Sequence, residues 1–282
     1  MTFSIVGRSV DGRAYGVAVA SKFLAVGAAV PAAEAGIGAL ATQAYANLAY
    51  RPQGLALLRT GVPAAGVVAG LTAADDGRAS RQLGVVGAAG DGATYTGADC
   101  HDWAGGTTGD GYAIQGNILT GPEVVTAMER SWSSTVESPL PARLVAALAA
   151  GDAAGGDRRG RQSAALLVVS KGQGYGGTGD VLADLRVDDH PDPVTELARL
   201  LDVHAMLFGR PDPATLIPLA GEVATEVRAR LAALGHAQPD LDAALVDWAG
   251  VENLEERLVP GSIDPPVLAQ LRALSPTNAT PG

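Results

Sequence analysis

Alternating apolar and polar positions dominate the first two thirds of the 282-residue chain and predict antiparallel strands joined by tight turns. The segments TFSIVG, at residues 2 to 7, and YGVAVAS flank an Asp-Gly turn signal and predict a hairpin. Further strands are predicted at AVGAAVP, GIGALATQA, RQLGVVGA, GATYTG, GYAIQGN, SAALLVVSK and LADLRVDD. Consecutive hairpins do not follow the strict strand and helix alternation of a doubly wound fold, so the pattern favours antiparallel sheets.

Apolar residues at helical spacing form the second pattern. They predict helices at YRPQGLALLRTG, GPEVVTAMERSW and LPARLVAALAAGD. From about Pro191 onward the periodicity is helical only, in DPVTELARLLDVHAMLFG, AGEVATEVRARLAALGH, DLDAALVDWAG and DPPVLAQLRALS. We therefore expect an α+β domain over residues 1–209, a small helical domain over residues 210–275 and a flexible tail over residues 276–282.

Composition narrows the type of core and the class of partner. Hydrophobic residues make up 47% of the chain but aromatic residues only 4%, and the chain has 37 glycines, so the core must be built from small side chains with close backbone approaches. The formal charge of -10 argues against a nucleic acid or an anionic membrane as partner. We expect a small molecule instead.

Cysteine content and the first residues bear on the compartment. A single cysteine, Cys100, allows no intramolecular disulfide and no thiolate-rich metal site. The first residues lack a charged segment followed by a long apolar run, and Lys22 and Glu34 interrupt the most hydrophobic region, so we expect neither a signal peptide nor a membrane span. The sequence predicts a cytoplasmic protein.

Four stretches of the chain resemble the DUF1028 family, which is assigned to the N-terminal nucleophile (Ntn) hydrolase superfamily. They are TFSIVGR, GVAVASKFLAVGAAVP, GYAIQGNIL and GGDRRGRQSAALLV, within about residues 2–209. The later segment from LAALGH to LAQL is similar to a peptidoglycan-binding-like domain often appended to that family. The resemblance implies a four-layer αββα sandwich, with two antiparallel sheets between helical layers and a small helical appendage.

The resemblance also implies a role for Thr2. An Ntn hydrolase uses the side chain of its mature first residue as nucleophile and the free α-amino group of that residue as general base. The pKa of such an amine is about 7.7 to 8.0, close to the pH at which an enzyme works, so the amine can accept and return a proton. Thr2 would become the first residue after removal of Met1, which a small second residue permits. The alternative is that Thr2 is a polar residue at a strand start.

Alignment with the proteasome β-subunit brings Ser21 and Lys22 close to the acidic site that ends the second strand of that protein. Ser21 replaces a carboxylate, which changes the local proton network. Lys22 could lower the pKa of the amine or stabilise an oxyanion, and the alternative is a solvated lysine at a strand end.

Two further positions are candidate oxyanion donors. A backbone amide near Gln43 or Ala44 lies where the superfamily has the turn beside its nucleophile, while the Gln43 side chain could equally be a structural hydrogen-bonding group. The Asn117 amide is a candidate second donor, although asparagine beside glycine is also typical of turns.

The glycine-rich segment GGDRRGRQ predicts a substrate-binding loop. Its candidate residues are Asp157, Arg158, Arg161 and Gln162, and Arg159 lies between them. A guanidinium can clamp an anionic group through its planar fork, and we expect one arginine to do so with Asp157 orienting it. Surface ion pairs are the alternative for the others.

Together these residues predict an amidohydrolase that cleaves a C–N amide bond of a small, carboxylate-bearing metabolite through an acyl-Thr2 intermediate. We expect no organic cofactor. We also expect no metal, because the Asp188, Asp189 and His190 run forms a poor metal cage. A homodimer is expected from the superfamily. The alternative is a catalytically silent binding protein whose helical tail recruits a glycan or protein partner, and a peptide-cleaving role ranks last.

Overall fold

The computed structural model describes residues 2–275 and divides them into two compact units, one up to Leu201 and one from Asp202 onward. Met1 and the tail predicted over residues 276–282 lie outside the described residues. The helices and strands of the first unit are β1 (Thr2–Arg8), β2 (Ala14–Ser21), α1 (Val26–Ala29), β3 (Pro31–Glu34), β4 (Gly38–Ala44), α2 (Tyr50–Arg59), α3 (Ala64–Ala73), β5 (Arg81–Gly87), β6 (Gly92–Thr96), β7 (Gly105–Gly109), β8 (Tyr112–Asn117), α4 (Glu123–Ser134), α5 (Leu140–Ala153), β9 (Ser163–Ser170), β10 (Val181–Val187) and the start of α6 (Pro193–Phe208).

The first sheet has six antiparallel strands in the order β10, β9, β2, β1, β8, β7. Its central pair is the predicted hairpin. The Ser9 hydroxyl closes the turn by accepting hydrogen bonds from the Arg13 and Ala14 backbone N–H groups at 3.1 and 2.9 Å. Gly12 has a φ of 73°, a conformation that glycine adopts without steric cost. Turn chemistry thus fixes the register of β1 and β2, with Phe3 opposite Ala20.

The second sheet has four antiparallel strands in the order β3, β4, β5, β6. It packs face to face on the first sheet through small apolar side chains from both, including Val6 and Val17 of the first sheet and Ala39, Ala41 and Val86 of the second. Small residues at this interface agree with the alanine- and valine-rich composition, because they let the two sheets approach closely.

Helices cover the outer face of each sheet. Residues of α4, α5 and α6 pack on the six-stranded sheet around Phe3, Ile5 and Ile114. Residues of α2 and α3 pack on the four-stranded sheet around Leu40 and Leu83. The central strands therefore bury alternate side chains against a helix layer and against the other sheet, as a period of two residues requires.

The second unit contains the end of α6 together with β11 (Ile217–Pro218), α7 (Gly221–Ala233), α8 (Leu241–Glu252), β12 (Ser262–Ile263) and α9 (Pro265–Leu274). Its core gathers Leu231, Trp248 and Leu271 from three helices. The mixed α/β class, the antiparallel sheets and the helical C-terminal region are confirmed. No helix within residues 2–275 is long and apolar enough to cross a membrane.

Several predicted elements are wrong in detail. The segment AVGAAVP, predicted as a strand, forms the one-turn helix α1 before the short strand β3. The helix α3 and the strand β7 were not predicted. The stretch predicted as purely helical also contains the two-residue strands β11 and β12, which pair with each other.

Candidate functional site

The interface between the two sheets changes from apolar to polar at the end where Thr2 lies. Interior-facing positions of β1, β4, β5 and β8 carry hydroxyl or amide side chains there, none more than 6% exposed: Thr2, Ser4, Gln43, Gln82, Gln115 and Asn117. Gly84 makes room for one of them, since a Cβ at this position would lie 2.0 Å from the Gln115 Oε1. Buried polar groups need partners, so this end of the interface must be a hydrogen-bonded network.

Gln82 is the centre of that network. Its Oε1 accepts hydrogen bonds from Gln43 Nε2 and from Asn117 Nδ2, both at 2.9 Å. Its own Nε2 donates to the Gly116 carbonyl at 2.7 Å and to Thr96 Oγ1 at 2.9 Å. One side chain therefore ties both sheets together beneath Thr2.

The Gln43 and Asn117 side chains converge on the Thr2 backbone. Gln43 Nε2 donates to the Thr2 carbonyl at 3.3 Å, and Asn117 Nδ2 reaches the same oxygen at 3.5 Å. Gln43 Oε1 accepts from the Ser4 hydroxyl at 2.7 Å. Both amides thus donate to acceptors in the protein interior. For the Gln43 side chain this is the structural hydrogen-bonding role, one of the two alternatives that the sequence allowed.

The Thr2 hydroxyl lies beside Ser21. The two side-chain oxygens are 3.1 Å apart, and either can donate. Thr2 and Ser21 both line a cavity of about 500 Å³. Because β1 and β2 are antiparallel partners, the first residue of one strand meets the last residue of the other, and this pairing brings the two hydroxyls together.

Apolar and cationic side chains surround the two hydroxyls in this cavity, which we call the Thr2 cavity. Its apolar wall includes Phe23, Val30 and Leu48, and its charged lining residues among those described are Arg81 and Arg159. A cavity lined by cations in a chain of charge -10 favours anionic ligands.

Each of the two arginines is held by a carboxylate. Arg81 Nε donates to Asp75 Oδ2 at 2.9 Å, and this contact raises the pKa of Arg81. Arg159 Nη2 lies 3.2 Å from Asp157 Oδ2. The buried Asp157 carboxylate also accepts from the Arg159 N–H at 2.9 Å and from the Lys22 N–H at 2.8 Å. Asp157 therefore fixes the Arg159 side chain and its own loop at once.

The remaining residues of the predicted substrate loop do not line the Thr2 cavity. Arg161 Nε donates to Asp152 Oδ1 at 2.9 Å, which draws that guanidinium toward the end of α5. The exposed Lys22 donates from Nζ to the Arg161 carbonyl at 3.2 Å. The Gln162 carbonyl accepts from the His190 N–H at 2.8 Å, and Arg158 is exposed. Of the three loop arginines, Arg159 lines the Thr2 cavity, and Arg158 and Arg161 do not.

A smaller cavity of about 250 Å³ shares Ala44, Tyr45 and Arg159 with the Thr2 cavity and adds Cys100, His101, Asn117 and Ile118. Ala44 and Ile118, at the ends of β4 and β8, have φ values of 66° and 51°. A β-branched residue rarely adopts this conformation, and such strained positions cluster at functional sites. Burial raises the pKa of the Cys100 thiol, so this cysteine is not activated as a thiolate.

Sequence reasoning missed Ser4, Gln82 and Gln115 as parts of the network and Arg81 as a lining residue. A signal was present, because Gln82 and Gln115 each stand next to apolar residues in the strands RQLGVVG and YAIQGN. A polar side chain at an interior position of a buried strand predicts a partner on a facing strand. Within residues 2–275, His, Cys, Asp and Glu side chains form no group of three or more that could hold a metal ion.

Comparisons with known proteins identify the family. Residues 207–271 match the family described as "Putative peptidoglycan binding domain". A crystal structure of a DUF1028 protein from Silicibacter pomeroyi is 29% identical, with a TM-score of 0.65 over 80% of this chain and 92% of that one. No curated protein matches the chain. Residues 2–197 match the model of the "Family of unknown function (DUF1028)", and the chain belongs to that family.

Proposed function

We propose that the chain is an amidohydrolase of the N-terminal nucleophile type, with Thr2 as its nucleophile. The observation that carries the proposal is the position of the Thr2 hydroxyl, which lines a cavity at a strand end, 3.1 Å from the Ser21 hydroxyl. The order of helices, two packed antiparallel sheets and helices again supports the αββα arrangement of that superfamily.

In the proposed reaction, removal of Met1 leaves Thr2 with a free α-amine. The amine takes the proton of the Thr2 hydroxyl as its oxygen attacks the amide carbon of the substrate. The same proton passes to the leaving nitrogen as the C–N bond breaks, which leaves an acyl ester on Thr2. A water molecule, deprotonated by the amine, then hydrolyses the ester and regenerates the hydroxyl.

The surrounding side chains orient this residue. Ser21 hydrogen-bonds the Thr2 hydroxyl and fixes its direction. Gln43 and Asn117 hold the Thr2 carbonyl, so we assign them a positioning role. We assign a backbone N–H near Ala44 as the hydrogen-bond donor to the oxyanion. Ala44 lines the cavity and has a strained backbone. Lys22 contributes through its backbone N–H to Asp157.

The lining suggests the substrate class. Arg81 and Arg159 favour a carboxylate, and the apolar wall around Phe23, Val30 and Leu48 favours a hydrocarbon group. An N-acyl amino acid carries both groups on either side of an amide bond. We propose a small amide of this kind as the substrate.

The test replaces Thr2 and screens N-acyl amino acids, small amides and ureido compounds. Thr2→Ala is expected to lower kcat/KM by about a thousandfold or more, because it removes the hydroxyl that attacks the amide carbon. Thr2→Ser keeps a hydroxyl and is expected to retain measurable hydrolysis. Thr126→Ala, on the exposed face of α4, is the matched control. Full activity in Thr2→Ala would overturn the proposal.

The second candidate function is glycan binding by the C-terminal unit. The observation that favours it is the match of residues 207–271 to a peptidoglycan-binding family. In this function the first unit is catalytically silent. Co-sedimentation of the full chain with purified insoluble peptidoglycan tests it, and Thr2→Ala should bind as the wild type does. A chain that stays in the supernatant would contradict glycan binding.

A further inference from the structure

A second cavity of the first unit lies at the hairpin end of β1, away from Thr2. It has a volume of about 980 Å³, and its lining includes Ser9, Arg13, Ser138, Arg143 and Lys171. Thr2 and Arg8 are the first and last residues of β1, so the length of the strand separates the two cavities by about 20 Å. We call this the hairpin cavity.

Arg143 is the notable residue of its lining. Arg143 is 7% exposed, and its guanidinium carbon lies 3.5 Å from the centre of the Trp132 ring. Its Nε donates to the Trp132 carbonyl at 3.0 Å. Within residues 2–275, neither terminal nitrogen donates a hydrogen bond, and no carboxylate forms an ion pair with it. Burial lowers the pKa of Arg143.

Arg257 shows how the same chain treats another buried arginine. Arg257 is 9% exposed, and it forms an ion pair with the buried Asp264 and donates to the carbonyls of Ala205 and Met206. A buried charge is costly unless it is paired and hydrogen-bonded. Arg257 has its partners within the protein, whereas the terminal nitrogens of Arg143 are open to the hairpin cavity and can donate to a ligand there.

The start of α5 adds a second feature that favours an anion. Ser138, Pro139 and Leu140 line the hairpin cavity together with Arg143, and no side chain caps the first turn of this 14-residue helix. Uncapped N–H groups at a helix N-terminus carry a partial positive charge. The acidic residues of the lining are Asp11 and Glu137, both exposed, and Asp11 is already bonded to Ser9 and Arg13.

We propose that the hairpin cavity binds the oxyanion group of a small phosphorylated or carboxylated ligand, with the two terminal nitrogens of Arg143 as a bidentate clamp. The N-terminus of α5 adds to the attraction, whereas the Lys171 ammonium at the rim lies 3.7 Å from Asp180 Oδ2. The ligand supplies the counter-charge that Arg143 lacks. This site is separate from the chemistry at Thr2.

Trp132 provides the readout, because its ring lies under the Arg143 guanidinium. The full chain is titrated with inorganic phosphate and, separately, with succinate, at constant ionic strength set with potassium chloride. Tryptophan fluorescence should change saturably with at least one of the two probes. Saturation by phosphate alone assigns a phosphorylated ligand, and saturation by succinate alone assigns a carboxylate.

Arg143→Lys keeps the charge and removes the fork, so the affinity should fall about tenfold or more. Arg143→Met should abolish saturation, and its circular dichroism spectrum shows whether it is folded. If Arg143→Met does not fold, the test rests on Arg143→Lys. Arg130→Met removes an exposed cation from α4 and should bind as the wild type does. No saturable change in the wild type, or equal affinity in Arg143→Lys, would overturn the proposal.

Discussion

The two ends of strand β1 treat buried polar groups in different ways. At the Thr2 end, hydroxyl and amide groups from four strands bond to one another, and only Gln115 Oε1 lacks a donor among the described residues. At the hairpin end, a buried guanidinium stacks on Trp132 and faces a cavity with no carboxylate partner. The polar groups at the Thr2 end therefore find nearly all of their partners within the fold.

This difference distinguishes polar groups that hold neighbouring atoms in place from charged groups that can bind a ligand. A polar group whose partners all lie within the fold holds neighbouring atoms in place, as Gln82 holds Gln43 and Asn117. A charged group that has no carboxylate partner in the fold and faces a cavity can instead bind a ligand of opposite charge. The following variants test this distinction, from the largest expected effect on free energy to the smallest.

The two buried arginines give the sharpest contrast. Arg257→Met leaves the Asp264 carboxylate, 3% exposed, without its cation, and should cost about 3–5 kcal/mol of stability in the second unit. Arg143→Met removes a cation that has no carboxylate partner and should cost only about 1–2 kcal/mol in the first unit, from the lost Trp132 contacts. Urea unfolding measures both. Equal losses would mean that Arg143 is satisfied internally.

Gln82→Leu breaks the polar end of the sheet interface. It removes the acceptor of Gln43 Nε2 and Asn117 Nδ2 and leaves these donors buried, which should cost about 2–3 kcal/mol. Gln53→Leu, on the exposed face of α2, is the matched control and should change stability by less than about 0.5 kcal/mol. A loss in Gln82→Leu no larger than in the control would show that the network does not stabilise the fold.

Asp157→Ala tests positioning at the Thr2 cavity and rests on the proposed hydrolysis. Without the carboxylate, Arg159 loses its ion pair and the Lys22 N–H loses its acceptor. We expect KM for a carboxylated amide to rise about tenfold, equivalent to about 1.4 kcal/mol, with little change in kcat. An uncharged amide analogue should show no such rise. A fall in kcat alone for both substrates would contradict this role.

Asp75 gives the smallest effect, which depends on pH. The Arg81 guanidinium, with Asn47 and Tyr50, holds the pKa of this carboxyl well below its usual range. A lowered folded-state pKa stabilises the fold above the unfolded-state value of about 3.9, and this stabilisation is lost as the pH falls through the folded-state pKa. Asp75→Asn lowers the free energy of unfolding relative to the wild type. This difference should narrow as the pH falls from about 6 to about 3, a range that spans the unfolded-state pKa.

The exposed neighbour Asp76 provides the control for that series. Asp76→Asn should leave the pH dependence of urea unfolding unchanged. The stability difference between Asp75→Asn and the wild type could instead stay constant down to about pH 3, below the unfolded-state pKa. That result would contradict a lowered pKa of Asp75 in the folded state.

Sequence patterns predicted the strands that bury alternate residues, because a period of two residues is visible in segments such as TFSIVG and YAIQGN. They failed where tertiary contacts override local preference. Helix α3, AAGVVAGLTA, is rich in glycine and β-branched residues, and its packing on β5 and β6 makes it helical. Strand β7, GGTTG, is an edge strand without apolar alternation.

The candidate site was predictable to a similar extent. Thr2, Ser21, Gln43 and Asn117 were named from the sequence, and the structure brings them together at one end of the sheet interface. The choice among the loop arginines was not predictable, because it depends on which carboxylate each guanidinium meets. Asp157 holds Arg159, while Asp152 holds Arg161 from a neighbouring helix.

The central claim is that Thr2 acts as a processed N-terminal nucleophile. The most direct measurement is the intact mass and peptide map of the purified chain after reaction with a β-lactone that acylates nucleophilic hydroxyl groups. If Thr2 is the nucleophile, the purified chain lacks Met1 and carries an acyl group on the Thr2 hydroxyl, with no adduct in Thr2→Ala. A retained Met1, or acylation at another residue that persists in Thr2→Ala, would contradict it.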